Sequence, residues 1–372
     1  MAKQRLTGEG SITFFKPRNL WYGRVSHNGK RIGVYRKTQK EVKQALRDLQ
    51  LKKHQGLRLE VSSMLLKDFL PQWVDLQRNS LRDHTYMSYE SIVRIHLVPR
   101  LGRYKLNNIS TEIISRTWSD MIKEGYSPSI VNHCHRRLSV ALNWGIKRNL
   151  IQVNPCVMAT VPKEIAKDIH PLDLQEIDEV LEQAKLTPYY PVIHTALQTG
   201  ARRNELLALD WRDIDLNRSV IHISKSLHVG KGGLIMMNPP KTKNGKRSVA
   251  LSPEAVISLR TELQNQIDNG LYHGFKVSDN RPVFINAFGD RILPNSLTHG
   301  FKKIIRKLNL NDSIDFHDTR HTHATLLLRN GVHPKIVQER LGHSSIKVTL
   351  DTYSHVIPNM QTDAIQSFTL VS

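Results

Sequence analysis

The chain has 372 residues, 39% of them hydrophobic, enough for two or three domains with buried cores. Fifty-four Lys and Arg against 33 Asp and Glu give a formal net charge of +21, which points to a polyanionic partner, most simply nucleic acid. No run approaches the ~20 apolar residues of a membrane span, the basic N-terminus lacks the apolar stretch of a secretion signal, and Cys134 and Cys156 make neither a metal-ligand spacing nor a disulfide framework, so two reduced thiols in a cytosolic protein are expected.

The charge is unevenly spread. Residues 1–60 hold 15 Lys and Arg and 4 Asp and Glu, more than half of the excess in a sixth of the chain. Solubility alone needs less, ~2–8 charges for a small domain. An anionic membrane surface is the rival partner, but no basic amphipathic helix with an aromatic face supports it. Residues 9–37 read as an antiparallel sheet of three short runs, Ser11–Phe15, Trp21–Val25 and Arg31–Tyr35, with Asn28-Gly29 suited to a type I′ hairpin between the last two. Thr38 and Glu41 form a capping box that opens a helix to about Lys53. Charge and aromatic rings share these strands, which favours a sheet laid on DNA over a basic structural appendage.

Residues 62–152 read as helical throughout. Leu66, Phe69, Trp73 and Leu76 follow helical spacing, as do Ile92, Ile95 and Leu97, and Ile113, Ile114, Trp118 and Met121. A longer helix from Pro128 buries Val131, Leu138, Leu142 and Ile146, and turns His133, His135, Arg136, Arg137 and Lys147 to solvent or to phosphate. Asn154-Pro155 ends this part, and residues 156–170 read as a linker. Helices follow at Leu172–Leu186 and Tyr190–Gln198, then a strand-rich stretch at 220–251 with a second turn signal at Asn244-Gly245, then helices from Pro253.

Several polar residues stand where chemistry needs them. Gly200 can end one helix left-handed and Asn204 cap a short one at Glu205–Leu209, so that Arg202 projects from a rigid corner with Glu205 to orient it. His317 and Arg320, three apart, share a helix face and can reach one phosphate. His317, His321 and His323 also allow a zinc reading, which ranks lower for want of an acidic ligand. Gly331 and Pro334 separate two helices, and Gly342 ends the second, which fixes His343 at a junction. Ser344 or Ser345 can cap a last helix carrying Tyr353, whose polar neighbours Asp351, Thr352 and Ser354 suggest an exposed phenol. Lys241 and Lys243 lie on one strand face before a turn, and some of Lys241, Lys243, Lys246 and Arg247 must be a solvated hairpin tip.

Three stretches, Thr199-Gly-Ala-Arg202-Arg-Asn-Glu205, His317-Asp-Thr-Arg320-His321 and Leu341-Gly-His343 through to Tyr353-Ser-His355, resemble the tyrosine recombinases, specifically the phage and conjugative-element integrases. Their order and spacing make the likeness specific over residues 170–358. By position and pattern, 62–152 is similar to the family's helical core-binding domain, and 9–55 to its arm-binding sheet. The resemblance implies a multidomain, mainly α fold with small β-sheets: an arm-type DNA-binding domain at 1–58 (a three-stranded sheet plus helix), a helical core-binding domain at 62–155, and an α+β catalytic domain with a C-terminal tail at 168–372.

It further implies site-specific strand exchange with no cofactor and no metal ion. Tyr353 is then the nucleophile giving a 3′-phosphotyrosine, Arg202 and Arg320 hold the nonbridging oxygens, His317 is the general base, Lys241 the general acid and His343 a hydrogen-bond donor to the phosphate. Lys243 stays open as the acid, although Pro240-Lys241-Thr242 matches the usual position better. The implied partners are double-stranded DNA attachment sites, core and arm, and three further copies in a homotetramer, with an excisionase and a DNA-bending host protein as accessory candidates. The implied compartment is a bacterial cytoplasm, at the nucleoid. A type IB topoisomerase and a non-catalytic DNA-binding regulator are the competing readings.

Overall fold

The computed structural model describes residues 11–16, 19–27, 30–54, 64–164, 170–239, 245–273 and 278–353. The chain forms two compact units, Met1–Ala166 and Lys167–Ser372.

The first unit opens with strands β1 (Ser11–Phe15), β2 (Leu20–His27) and β3 (Lys30–Arg36), antiparallel in the order β1-β2-β3. The Asn28-Gly29 turn lies outside the described residues. Helix α1 (Gln39–His54) begins at the expected capping box: Glu41 N–H donates to the Thr38 hydroxyl at 3.2 Å, and Thr38 N–H to the Glu41 carboxylate at 3.1 Å. The register pairs Ile12 with Gly23 and Gly23 with Val34, so these three share the face that packs on Val42 and Leu46 of α1. Gly23 is required there, since a Cβ would come within 2.4 Å of Val42. The other face carries Tyr22 stacked on Tyr35, with ring centroids 4.5 Å apart, beside exposed Arg24.

Helices α2 (Leu66–Leu76), α3 (Asp83–Ile92), α4 (Val98–Leu101), α5 (Thr111–Lys123) and α6 (Pro128–Lys147) then surround a core that includes Phe69, Trp73, Leu97, Trp118, Met121, Val131 and Leu138. Each such side chain contributes about 1.5–3 kcal/mol. Two positions of the expected stripes face outward. Leu76 is exposed at the end of α2. A π-helical turn at Val93–Leu97 between α3 and α4 adds a residue per turn and rotates the seam, so Val93 and Leu97 are buried and Ile95 is exposed. On the outer face, His135 is tied to the core by its Nδ1, which accepts the Trp118 indole N–H at 3.3 Å. Nor does this core end at Asn154. Asn154 is buried, its amide donates to Ser139 and Asn143, and Cys156 and Ala159 close the core where a linker was expected.

In the second unit, Asp173 and Glu176 form a capping box that starts α7 (Leu174–Lys185). Helix α8 (Tyr190–Thr199) is buried on nearly every side and packs against α7, α10 (Pro253–His273) and α12 (Asp318–Arg329). After α9 (Arg203–Leu206), strand β5 (Val220–Ile223) pairs with β4 (Ile214–Asp215) on one side and β8 (Arg247–Ala250) on the other, while β6 (Ser226–Val229) pairs with β7 (Ile235–Asn238). Asp210 anchors the turn before β4 through ion pairs with Lys225 and Arg291. Helices α11 (Pro294–Lys307), α13 (Pro334–Leu341) and α14 (Ile346–Tyr353) complete the described unit.

Candidate active site

Two left-handed glycines build the corners of the site. Gly200 (φ +63°) ends α8 and turns the chain directly into α9. A Cβ there would meet Leu341 at 2.6 Å and His323 at 2.7 Å, so the position excludes any side chain on contact as well as conformation. Gly342 (φ +69°) ends α13 in the same way and presents His343.

The corner after Gly200 differs in detail from expectation. Helix α9 starts at Arg203, with Arg202 at its N-cap, so Asn204 lies inside the helix. Glu205 provides the cap: its carboxylate accepts the Arg202 backbone N–H and the Arg202 guanidinium, each at 2.9 Å. The same carboxylate accepts from Arg247 at 2.9 Å. Arg202 keeps 40% of its side chain exposed, whereas Glu205 and Arg247 are buried. Arg203 turns elsewhere, onto Thr298 and Asn204.

Helix α12 brings the second group. Arg320 is 3% exposed and donates to the carbonyls of Gly200 at 2.8 Å and Leu341 at 2.9 Å. These bonds use two of its five N–H donors. Arg202 reaches the Gly342 carbonyl at 3.4 Å. Arginines 118 positions apart thus tie the α8–α9 corner, α12 and the α13–α14 junction into one basket. His317 sits at the N-cap of α12, held by its N–H to Asp315 at 2.8 Å, and its ring meets His321 edge-on at 5.0 Å. His323 is committed to structure. Its Nδ1 bonds the Leu197 carbonyl at 2.8 Å, and its Nε2 accepts from Arg340 at 2.9 Å. That leaves no nitrogen of His323 for the zinc reading.

His343 is buried, and its Nδ1 pairs with the Thr349 hydroxyl of α14 at 2.8 Å. Tyr353 corrects the expectation of an exposed phenol: it is 1% exposed and packs with Ala324, Leu328, Val337 and Leu341. Four apolar side chains outweigh the polar neighbours Asp351 and Thr352, which do not share the buried face of the short helix. The Tyr353 hydroxyl is hydrogen-bonded to His321 Nδ1 at 2.9 Å.

The electrostatics follow from crowding cations in a basket short of water. Burial, then the charges of Arg320, Arg202 and Arg247, lowers His343 to about 3. His317 keeps an open side, yet crowding by protein followed by His321 and Arg320 lowers it to about 4. Both imidazoles are neutral at pH 7 and able to accept a proton. Burial and then Arg202 lower Arg320 to about 9, which leaves it charged. Burial raises Tyr353 to about 12, against the opposing pull of Arg320. For Glu205 burial acts upward, but the hydrogen bond and charge of Arg247, with Arg202, prevail and hold the carboxylate below its usual range.

Of the six residues proposed from sequence, Arg202, Arg320 and His343 line one basket, with His317 at the start of the same helix as Arg320. Tyr353 lies beside them, on His321. Lys241, together with Lys243, lies outside the described residues. Two participants were missed. Arg247 looked like part of a solvated hairpin tip; the signal that could have placed it is Glu205, an acid in an apolar run that demands a buried cation. His321 was weighed only as a metal ligand.

Residues 170–360 match the phage integrase family, and residues 65–122 match the phage integrase N-terminal SAM-like domain. The chain is 27% identical to a XerC-like tyrosine recombinase of Caldanaerobacter subterraneus subsp. tengcongensis, over 91% of this chain and 92% of that one. It is 26% identical to the ICEBs1 integrase of Bacillus subtilis, over 74% and 75% of the two chains. Its fold is shared with the Tn1549 transposon integrase (TM-score 0.71, 23% identity, 82% of this chain and all of that one) and with lambda integrase (TM-score 0.59, 15% identity, 99% of each). The chain belongs to the phage integrase family and is a tyrosine-type site-specific recombinase.

Proposed function

We propose that the chain integrates and excises a mobile element or phage genome by exchanging DNA strands at attachment sites, with Tyr353 as nucleophile. The phenolic oxygen attacks the scissile phosphorus and displaces the 5′-oxygen, giving a 3′-phosphotyrosine and a free 5′-hydroxyl. One phosphodiester replaces another, so the step reverses without an energy source, and a 5′-hydroxyl from a second duplex completes the exchange. Arg202 and Arg320 hold the nonbridging oxygens and offset the charge that grows on them. His343 donates a hydrogen bond to the same phosphate. His317, neutral and open on one side, takes the tyrosine proton and returns it on religation. Lys241 protonates the departing 5′-oxygen.

The observation that carries this reading is the interlock of Arg202 with Gly342 and of Arg320 with Gly200 and Leu341. It joins the three motif stretches at one place and leaves guanidinium donors for an anion. The basic N-terminal sheet, with Tyr22, Arg24 and Tyr35 on the face away from α1, supports a second DNA contact at arm sites. That module favours an integrase over a topoisomerase, because two DNA-binding modules can bridge separate sites.

Structures of the Tn1549 integrase with circular-intermediate DNA, and of a lambda integrase tetramer on a Holliday junction, support duplex DNA and a homotetramer as partners. Stoichiometry argues the same way, since four strands cut by single-tyrosine sites need four copies. Whether an excisionase or a DNA-bending host protein is needed is read by asking if the purified chain alone recombines two attachment sites.

The test is incubation with nicked core-site DNA. The wild type should form an SDS-stable adduct, and Tyr353→Phe should bind the DNA without forming it. Full adduct yield from Tyr353→Phe would remove Tyr353 from its role, and absence of adduct from the wild type on every candidate site would favour the regulator.

A further inference from the structure

Tyr353 as placed cannot perform the attack. A nucleophile must come within ~3–3.5 Å of the reacting atom, and a side chain 1% exposed gives a phosphate no approach. Helix α14 therefore has to move. Only Thr349 and Tyr353 of its eight residues are buried, four positions apart on one face. Ile346, Val348 and Leu350 face outward. Each inward residue ends in a hydrogen bond to a histidine: Thr349 to His343 at 2.8 Å, and Tyr353 to His321 at 2.9 Å. His321 is itself positioned by α12, next to Arg320 and against the ring of His317.

We infer that His321 is a positioning residue for the nucleophile, holding the Tyr353 hydroxyl in a sequestered site until DNA is engaged. The inference rests on the reading of Tyr353 as nucleophile and goes beyond it. The two histidines form a latch with unequal jobs. His343 belongs to the proposed phosphate-binding set and pins Thr349 of the same helix through its Nδ1. His321 is the second pin, and it acts on the reactive oxygen itself. With both pins in place, a chain without DNA carries no exposed tyrosine at this position.

The experiment is a double-mutant cycle on the full-length chain without DNA, read by amide hydrogen exchange in residues 347–353. A hydrogen bond of ordinary net strength corresponds to about 2- to 12-fold in protection. His321→Ala should speed exchange by about that factor. In a Tyr353→Phe background the same substitution should add nothing, because the hydroxyl it acts through is gone. His321→Asn, which keeps an acceptor, should restore most of the protection. Unchanged exchange in His321→Ala, or an equal increase in both backgrounds, would overturn the inference, the latter by showing that His321 acts through packing.

Should His321→Ala misfold, the ring ¹⁵N shifts of His321 in the wild type and in Tyr353→Phe read the same bond, and identical shifts overturn it. On nicked core-site DNA, His321→Ala should form its first adduct at least twofold faster than the wild type; a slower first turnover would sink the holding role. The exchange arm uses no DNA, so it can fail while Tyr353 remains the nucleophile, and adduct from Tyr353→Phe would sink that reading without touching the exchange result.

Discussion

Glu205→Gln tests the scaffold under Arg202. The Glu205 carboxylate is buried, and it accepts three hydrogen bonds at 2.9 Å, from the Arg202 N–H, the Arg202 guanidinium and the Arg247 guanidinium. Arg247 is 6% exposed, and its Nε also donates to the Arg340 carbonyl at 2.7 Å. Removing one member of a buried ion pair costs about 3–5 kcal/mol, mostly because the partner charge stays buried and unpaired. Glutamine keeps one acceptor, and the exposed side of Arg202 is screened by water, which brings the expected loss to about 2–3 kcal/mol. In a unit of this size that lowers the melting temperature by about 5–10 °C.

The pH dependence has a definite sign. The folded-state carboxyl is depressed, so its stabilisation is complete above the unfolded value of about 4.3 and is lost as pH falls through the folded one. The gap between wild type and Glu205→Gln should hold from pH 7 to about 5 and narrow below about 4. Adduct formation should fall by about 10²-fold, the effect of moving a positioned group by ~1 Å. Differential scanning calorimetry at pH 7 and pH 3.5, with single-turnover cleavage, measures all three. A melting shift under about 2 °C, or a gap that does not change on acidification, would refute the buried-carboxylate account.

Gly200→Ala should destabilise the second unit by about 2–5 kcal/mol, combining left-handed strain with overpacking against Leu341 and His323, and urea unfolding would show it. It should also lower adduct yield, because the Gly200 carbonyl anchors Arg320. Lys241→Ala should be rescued by a substrate with sulfur at the bridging 5′ position, since a thiolate leaves unprotonated; rescue of Lys243→Ala instead would reassign the acid. Removal of residues 1–60 should leave cleavage of a short core site intact and flatten the salt dependence of DNA binding, and an unchanged salt slope would deny the sheet its phosphate contacts.

How far the sequence could be read depends on the range over which each feature is decided. The Thr38–Glu41 box, the turn at Gly342 and the stripe of Ile114, Trp118 and Met121 are local, and they were legible because propensity, capping and period act within a few residues. Leu76 and Ile95 were misassigned because their facing depends on where a helix stops or gains a π turn, which the tertiary core decides. The linker expectation failed at its start, 156–159, for the same reason, since Cys156 and Ala159 are buried by helices distant in sequence.

The chemistry was legible to a different depth. The motifs singled out Arg202, Arg320 and His343, which the fold brings together, because a basket for a phosphate can be assembled from few residue types. They did not give the partners of those residues. Glu205 recruits Arg247 from 42 positions away, and nothing local to Arg247 announces that. Tyr353 marks the limit most clearly. In the role proposed for it, Tyr353 needs a reactive environment as well as the buried one, and one string of residues would have to encode both. The outward polar residues Asp351 and Thr352 are visible in the sequence as a prediction of exposure. The buried environment is set by Leu328, Val337 and Leu341 from two other helices and by a hydrogen bond to His321 on one of them. The same short helix that makes release inexpensive, with two buried residues out of eight, therefore also made its resting state unreadable from its own sequence.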